Sequence, residues 1–114
     1  MSTSVSRASA LLRTLGDETR LQVLALLYRR AFCVCELVER FPVSQSAISG
    51  HLRRLKDAGL VTDERRGMWV YYRALRPMPP LVRSVLEEIT LPPALQAAAE
   101  SGGPDCAPGT GSGR

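Results

Sequence analysis

Apolar residues recur every three or four positions in five stretches of the chain, and this spacing predicts amphipathic helices. Asp17 is placed to cap the second helix through its carboxylate. A short third helix starts near Cys33 and stops before Pro42. Ser44 is placed to cap a longer fourth helix, which ends where Gly59 permits a left-handed conformation. The third and fourth helices, joined by so short a turn, match a helix-turn-helix.

The pattern changes after the fourth helix. Residues 60–64 and 68–73 are rich in Val, Thr, Trp and Tyr, as is typical of strands, and Gly67 supplies the positive φ of a tight hairpin. The aromatic residues of these strands are expected to pack within the hairpin rather than stack on bases. We therefore predict a mainly α winged helix-turn-helix, with about five helices and a two-stranded wing.

A last predicted helix follows Pro80 and carries an apolar stripe that nothing later in the chain would bury. Such a stripe favours a dimer interface, and we expect a homodimer formed by the first and last helices. The residues assigned to the interface are Leu11, Leu12, Leu81, Val82, Val85, Leu86 and Ile89. We place the folded domain at residues 1–93. Residues 94–114, which carry Cys106 and are mostly small or polar near the end, are expected to form a flexible tail.

Length and charge narrow the possible functions. The chain has 114 residues and a net charge of +4, which suits a single domain with a polyanionic partner. No apolar run is long enough to span a bilayer and no signal peptide is apparent, so we expect a cytoplasmic protein without a membrane partner. With one histidine and no pattern for an organic cofactor, the sequence argues against an enzyme.

One face of the fourth helix has the composition of a DNA-reading surface. Advancing about 100° per residue, the apolar side chains gather on one arc and the hydroxyl, amide and guanidinium groups on the other. We assign double-stranded operator DNA as the partner. The predicted contacts are Ser44, Gln45, Ser46, Ser49, Gly50, Arg53 and Arg54 in the helix and Arg65 and Arg66 at the wing tip, while His51, on the flank, either contacts DNA or packs at a boundary.

Four motifs in order resemble the ArsR/SmtB family of metal-responsive repressors. They are GDETRLQVLALL (16–27), CVCEL (33–37), SQSAISGHLRRLKDAGLV (44–61) and GMWVYYRAL (67–75). CVCEL is similar to the branch that responds to arsenicals and antimonials. The resemblance implies a dimeric repressor that leaves its operator when As(III) or Sb(III) binds three cysteine thiolates.

The predicted ligands are Cys33, Cys35 and Cys106. The arsenical branch has its third thiol at the position of Val38, so this chain departs from the pattern, and Cys106 in the tail is the remaining candidate. Residues two apart on a regular helix point about 200° away from each other. Metalloid binding is therefore expected to unwind the first turn of the short helix.

Several alternatives remain open from the sequence. The cysteines could form a thiol redox switch, or Cys33 and Cys35 could bind a methylated arsenical without Cys106. If no thiol ligand changes DNA affinity, a purely architectural DNA-binding protein remains. A small thiol oxidoreductase fits poorly, because a catalytic cysteine needs a paired base.

Overall fold

The computed structural model describes residues 3–101, which form six helices and a three-stranded antiparallel sheet. The helices are α1 (Val5–Leu15), α2 (Glu18–Arg29), α3 (Val34–Arg40), α4 (Gln45–Asp57), α5 (Pro80–Glu88) and α6 (Pro93–Glu100). The strands are β1 (Phe32–Cys33), β2 (Val61–Arg66) and β3 (Trp69–Ala74). No helix in this part of the chain is long and apolar enough to cross a membrane. The predicted winged helix-turn-helix is confirmed, with one more helix and one more strand than expected.

Side-chain caps start the two helices for which the sequence predicts them. Asp17 accepts a hydrogen bond of 2.9 Å from the backbone N–H of Arg20 at the start of α2. Ser44 accepts one of 3.1 Å from the backbone N–H of Ala47 at the start of α4. Each cap satisfies an N–H group that the first helical turn leaves without a backbone partner, and each typically contributes about 1 kcal/mol.

The helix-turn-helix owes its shape to residues at its two ends. Phe41, which precedes a proline, is extended with φ −127° and ψ 142°, and this conformation ends α3. At the end of α4, Gly59 has φ 78° and its N–H donates to the carbonyl of Lys56. The next N–H, from Leu60, reaches back to the carbonyl of Leu55, which completes a Schellman cap.

The wing is a hairpin of β2 and β3, and β3 also pairs with the short strand β1 that precedes α3. Strands β2 and β3 pair from Val61 opposite Ala74 to Arg66 opposite Trp69, and Gly67 turns the chain with φ 63°. Strand β1, which the sequence analysis missed, pairs with the other edge of β3 and places Cys33 opposite Tyr71. The cysteine-bearing turn is therefore attached directly to the wing.

The core forms around α2, and α6 belongs to it. Five consecutive residues of α2, Val23 to Leu27, are buried, as expected of a central helix. Helix α6 packs on α2 and buries Leu95, Ala98 and Ala99. Residues 94–100 of this helix belong to the segment that the sequence analysis assigned to the tail, so the folded part extends to at least residue 100. The tail prediction for residues 102–114 lies outside the described residues.

Burial within the monomer corrects part of the predicted dimer interface. Leu11, Val82 and Leu86 are at most 8% exposed and belong to the chain's own core. Much of the apolar stripe of α5 is therefore buried inside the monomer, because α5 packs against the rest of the domain. Leu12 is half exposed, and Leu81, Val85 and Ile89 are only partly buried. These last residues remain candidates for contact with a second copy.

Candidate functional site

Helix α4 presents a continuous polar face to solvent. Ile48, Leu52 and Leu55 are buried against the core, as the helical spacing predicts. The opposite side carries exposed residues from both ends of the helix and from its cap, namely Ser44, Gln45, Ser46, Ser49, Gly50, Arg53 and Arg54. A face of hydroxyl, amide and guanidinium groups next to an unobstructed helix backbone has the chemistry to meet base edges and phosphates.

His51 does not share this face. Its Nδ1 lies 3.2 Å from a guanidinium nitrogen of Arg20, and its Nε2 lies 3.7 Å from the carboxylate of Asp17. The pKa of Asp17 is lowered, first because its carboxylate accepts the backbone N–H of Arg20 and also because His51 and Arg20 are nearby. Of the two interpretations the sequence leaves open for His51, the geometry favours packing at the boundary between α2 and α4.

The two arginines at the wing tip have different surroundings. Arg65 and Arg66 are both exposed at the end of β2. Arg66 folds back, with its guanidinium 4.4 Å from the centre of the Tyr71 ring and 3.3 Å from the Glu64 carboxylate. Tyr71 itself is buried, which raises the pKa of its hydroxyl. Arg66 therefore braces the wing, and Arg65 is the better placed of the two to reach a phosphate.

Cys33 and Cys35 meet at the start of α3. Cys33 is extended, with φ −72° and ψ 148°, and caps the helix, so only Cys35 lies within its first turn. The Sγ atoms of the two residues are in direct contact and form a disulfide-bonded pair, with 5.3 Å between the Cα atoms. The expectation that both sulfurs project from a regular helix is wrong, because Cys33 precedes it. The sulfurs therefore converge without any unwinding of α3.

Glu36 fixes the backbone of this turn. Its carboxylate accepts a hydrogen bond of 3.3 Å from the N–H of Cys33, while the Cys33 sulfur caps the helix, which makes a reciprocal capping box. Glu36 is only 5% exposed and its charge is compensated by Arg30, with a guanidinium nitrogen 3.1 Å from Oε2. A buried charge of this kind requires such a partner.

Arg30 connects the cysteine turn to the end of α6. The same Nη2 that meets Glu36 also donates to the carbonyl of Ala98 and to the hydroxyl of Ser101, each at 3.1 Å. The guanidinium stacks over the ring of Phe32 at 3.7 Å. The end of the described chain is therefore held close to the cysteine pair.

A pocket of about 620 Å³ opens beside the two cysteines. We call it the thiol pocket. Besides Cys33, its walls include Cys35 and Val38 from α3, Gln45 and Ser49 from α4, and Met68 and Trp69 from the wing. One side of the thiol pocket therefore carries the two sulfurs among mostly apolar residues, together with Glu39 of α3, and the other side belongs to the polar face of α4.

Only two of the three predicted ligands can be placed. Within residues 3–101, no group of three or more His, Cys, Asp or Glu side chains is arranged to hold a metal ion. Once reduced, Cys33 and Cys35 would supply two soft sulfur donors, which suit a thiophilic metalloid better than a hard cation. Cys106, the third predicted ligand, lies outside the described residues.

Sequence reasoning missed the residues that support the cysteine turn. Glu36 was detectable, since Cys33 with an acidic residue three positions later has the spacing of a capping box. The link from Arg30 to the end of α6 has no local signal, because Ala98 and Ser101 are far away along the chain. Met68 and Trp69 were assigned to the hairpin, and only the folded structure brings them next to the thiols.

A helix-turn-helix with an exposed polar second helix, followed by a hairpin wing, defines a winged-helix transcriptional regulator. Residues 17–63 match the family described as "Bacterial regulatory protein, arsR family". The arsenical resistance operon repressor of Escherichia coli is 38% identical over 79 residues, which are 68% of this chain and 68% of that protein. The chain belongs to the arsR family.

Further relatives have related names. The arsenic resistance transcriptional regulator ArsR1 of Pseudomonas putida is 40% identical over 68% of this chain, and the match spans 61% of that relative's length. Among solved structures, a possible transcriptional regulator for arsenical resistance has a TM-score of 0.59 and 32% identity, covering 81% of this chain and 96% of its own. Reduced HlyU from Vibrio cholerae has a TM-score of 0.63 and 34% identity, and the match covers 72% of this chain and 83% of HlyU. The relatives described by function are transcriptional regulators, not enzymes.

Proposed function

We propose that the protein is a homodimeric repressor that binds operator DNA in the cytoplasm and leaves it when As(III) or Sb(III) binds Cys33 and Cys35. The observation that carries this proposal is the convergence of the two sulfurs at the start of α3, the first helix of the helix-turn-helix. The turn between α3 and α4 is short, so a change at the cysteines is transmitted to the DNA-reading face. Relatives named for arsenical resistance support the choice of inducer.

A gel-shift titration tests this function directly. The reduced protein is bound to the promoter upstream of its own gene and titrated in parallel with arsenite, antimonite, methylarsenite, cadmium and zinc. We expect release by the trivalent arsenic and antimony compounds at concentrations where zinc has no effect, because soft sulfur donors discriminate in this direction. If none of these ligands changes the affinity for DNA, the inducer assignment fails and an architectural role takes its place.

The DNA contacts of α4 divide into charge and base recognition. Arg54→Ala should weaken binding to operator and random DNA alike and lower the slope of log K against log salt by about 0.9, the value for one lost phosphate contact. Gln45→Ala should instead reduce the preference for operator over random DNA. Arg83→Ala, which removes an exposed arginine from α5, is the control and should do neither. Identical behaviour of all three variants would mean that the reading face is misplaced.

Gly50 should show opposite effects on folding and DNA binding. A Cβ at this position would meet no atom within 4 Å, so no contact inside the chain demands glycine there. Gly50→Ala should therefore raise the free energy of unfolding by about 0.5 to 1 kcal/mol and weaken operator binding, because the methyl group stands where DNA approaches the helix. Gly59→Ala should destabilise instead, since its φ is 78°. Urea denaturation and gel shifts measure both quantities, and unchanged operator affinity for Gly50→Ala would contradict a close approach.

A dimer would place two copies of α4 about 34 Å apart, one turn of DNA, and so predicts a palindromic operator. Leu12, Leu81, Val85 and Ile89 are the proposed contact residues. Light scattering should report twice the monomer mass at micromolar concentration, and Leu12→Glu should lower it. A stable monomer that binds the operator tightly would contradict this assembly.

Cys106 remains the proposed third ligand of As(III) or Sb(III). It follows Ser101 by five residues, which extend to about 16 Å. Ser101 bonds to Arg30, and Arg30 bonds to the carboxylate that accepts the Cys33 N–H. This chain of contacts supports a ligand supplied by the same subunit rather than by its partner.

A thiol redox switch is the second candidate, and the contact between the Cys33 and Cys35 sulfurs favours it. In this case oxidation to the disulfide, rather than metalloid binding, would control the affinity for DNA. Mass spectrometry after mild peroxide treatment, combined with gel shifts, separates the two candidates. A loss of two hydrogens that changes operator affinity supports the redox switch, whereas oxidation without any effect on DNA binding leaves the metalloid proposal.

A further inference from the structure

We propose that Arg20 and His51 are positioning residues for DNA recognition. Their contact holds the reading helix α4 at a fixed angle to α1, and in the proposed dimer this angle sets the separation of the two reading faces. The inference rests on the proposed homodimeric repressor and does not involve the cysteines. It draws on a polar cluster that joins α1, α2 and α4 at the flank of the reading face.

Arg20 lies in the first turn of α2 and bonds to two other helices. Its Nε donates a hydrogen bond of 2.6 Å to the carbonyl of Thr14, in the last turn of α1. Because the last carbonyls of a helix have no partner within it, this bond fixes the end of α1 against α2. A second guanidinium nitrogen lies 3.2 Å from Nδ1 of His51 on α4. One side chain therefore connects the reading helix with the helix that carries Leu12, a proposed dimer contact.

The surroundings of the His51 ring define which of its nitrogens carries the proton. A guanidinium group can only donate, so Nδ1 accepts from Arg20 and carries no proton itself. The proton of the neutral ring then lies on Nε2, which faces the carboxylate of Asp17 at 3.7 Å. That carboxylate accepts the backbone N–H of Arg20, which lowers the pKa of Asp17 and keeps it ionised in weak acid. The cluster is therefore complete only while His51 is neutral.

The contact between Arg20 and His51 restrains the direction of α4. Ile48, Leu52 and Leu55 hold this helix on the core, but hydrophobic contact is non-directional. A hydrogen bond depends on the angle at the donor, so this contact adds a directional restraint. If α4 turns in each subunit, the distance between the two reading faces changes, whereas each face keeps its own side chains.

DNA probes with one or two half-sites test this role. His51→Leu removes the acceptor and keeps the approximate size of the side chain. It should bind a palindromic operator about tenfold more weakly than wild type, equal to about 1.4 kcal/mol, which is comparable to one mismatched base pair. It should bind a single half-site as tightly as wild type. A direct contact of His51 with DNA, or a loss of folded protein, would weaken both probes alike and would overturn the proposal.

A rescue variant and a control locate the effect. His51→Asn should restore most of the affinity for the palindrome, because its amide oxygen is attached to Cγ, as Nδ1 is, and can accept from Arg20. Arg20→Gln should reproduce the effect of His51→Leu. Arg29→Gln, on the same helix, should bind as wild type does, since its guanidinium contacts Gln96 and Glu100 rather than α4. Urea denaturation confirms that each variant is folded, and failure of His51→Asn to rescue binding would contradict the hydrogen bond.

The dependence of DNA binding on pH gives a second readout. His51 is the single histidine of the chain, and histidine is the side chain that ordinarily titrates between pH 5 and 8. Arg20 and Asp17 are the charged groups that contact the ring in the described part of the chain. Of the other elements that pack on α4, β2 directs Asp63 to Lys56, and Glu39 of α3 lines the thiol pocket.

Protonation of His51 places a proton on Nδ1, against the guanidinium of Arg20. Wild-type affinity for the palindrome should therefore fall between about pH 7.5 and pH 5.5, and the affinity of His51→Asn should change less. An added positive charge by itself strengthens binding to DNA, so a rise in wild-type affinity, or the same profile for both proteins, would overturn the proposal. If wild type binds no operator, the proposed function fails and the inference fails with it. If wild type binds and His51→Leu matches it on both probes, only the inference fails.

Discussion

Cys33→Ser is expected to abolish release by arsenite and antimonite while leaving operator affinity nearly unchanged. The serine hydroxyl keeps the approximate size of the thiol but is a poor ligand for a soft metalloid. It also keeps the fold, because Cys33 occupies the cap of α3 and serine is among the best capping residues. In wild type, binding of inducer should weaken DNA affinity about 5- to 150-fold, the range for a coupling energy of roughly 1 to 3 kcal/mol. For Cys33→Ser, gel shifts should show the same DNA affinity with and without inducer.

Two further serine variants complete the test. Cys35→Ser should behave like Cys33→Ser, since it removes the other sulfur of the pair. Cys106→Ser distinguishes the number of ligands. If arsenite and antimonite no longer release this variant from DNA, the site has three thiols. If they still release it, the site has two thiols and is suited to a methylated arsenical. If all three variants release DNA as wild type does, the cysteines are not the switch.

The structure changes the route by which such a switch would act. The sequence predicted that binding unwinds α3, because both cysteines were expected to lie on the helix. With Cys33 in β1, opposite Tyr71 of the wing, the sulfurs already converge, and a change there reaches β3 as directly as it reaches α4. In the proposed switch, the wing therefore joins α4 as an element that a change at the cysteines would move.

Local signals explain what the sequence predicts correctly. Asp17 and Ser44 cap helices through bonds that span three residues, and Gly59 and Gly67 adopt the positive φ that their turns require. These features depend on neighbours along the chain, so residue type and spacing are sufficient to predict them. The inward positions of α4 follow from the helical period in the same way.

The errors come from pairings between distant segments. Strand β1 has only two residues and exists because β3 lies beside it, so no periodicity could indicate it. Helix α6 begins at Pro93, a residue that suits the first helical position, but the sequence analysis ended the folded domain at this residue. The apolar stripe of α5 was assigned to a dimer because the sequence alone does not show that the domain buries Val82 and Leu86.

Glu36→Ala is expected to lower the free energy of unfolding by about 3 to 5 kcal/mol, the usual effect of removing one member of a buried ion pair. The substitution leaves the guanidinium of Arg30, whose side chain is only 15% exposed, without its carboxylate partner. It also removes the acceptor for the Cys33 N–H. The midpoint of urea denaturation measures the loss.

Glu39→Ala is the matched control, because Glu39 lies on the same helix but is exposed, so its removal should cost less than about 0.5 kcal/mol. Glu36→Gln retains an oxygen that can accept the Cys33 N–H while removing the charge, so it should fall between the two alanine variants. If Glu36→Ala is no more destabilising than Glu39→Ala, the buried pair does not hold the turn.

If the expected order is found, the cysteine turn is fixed by a group outside the CVC sequence. A repressor with Glu36→Gln should then retain its operator affinity but need more inducer, because the sulfurs are less firmly positioned.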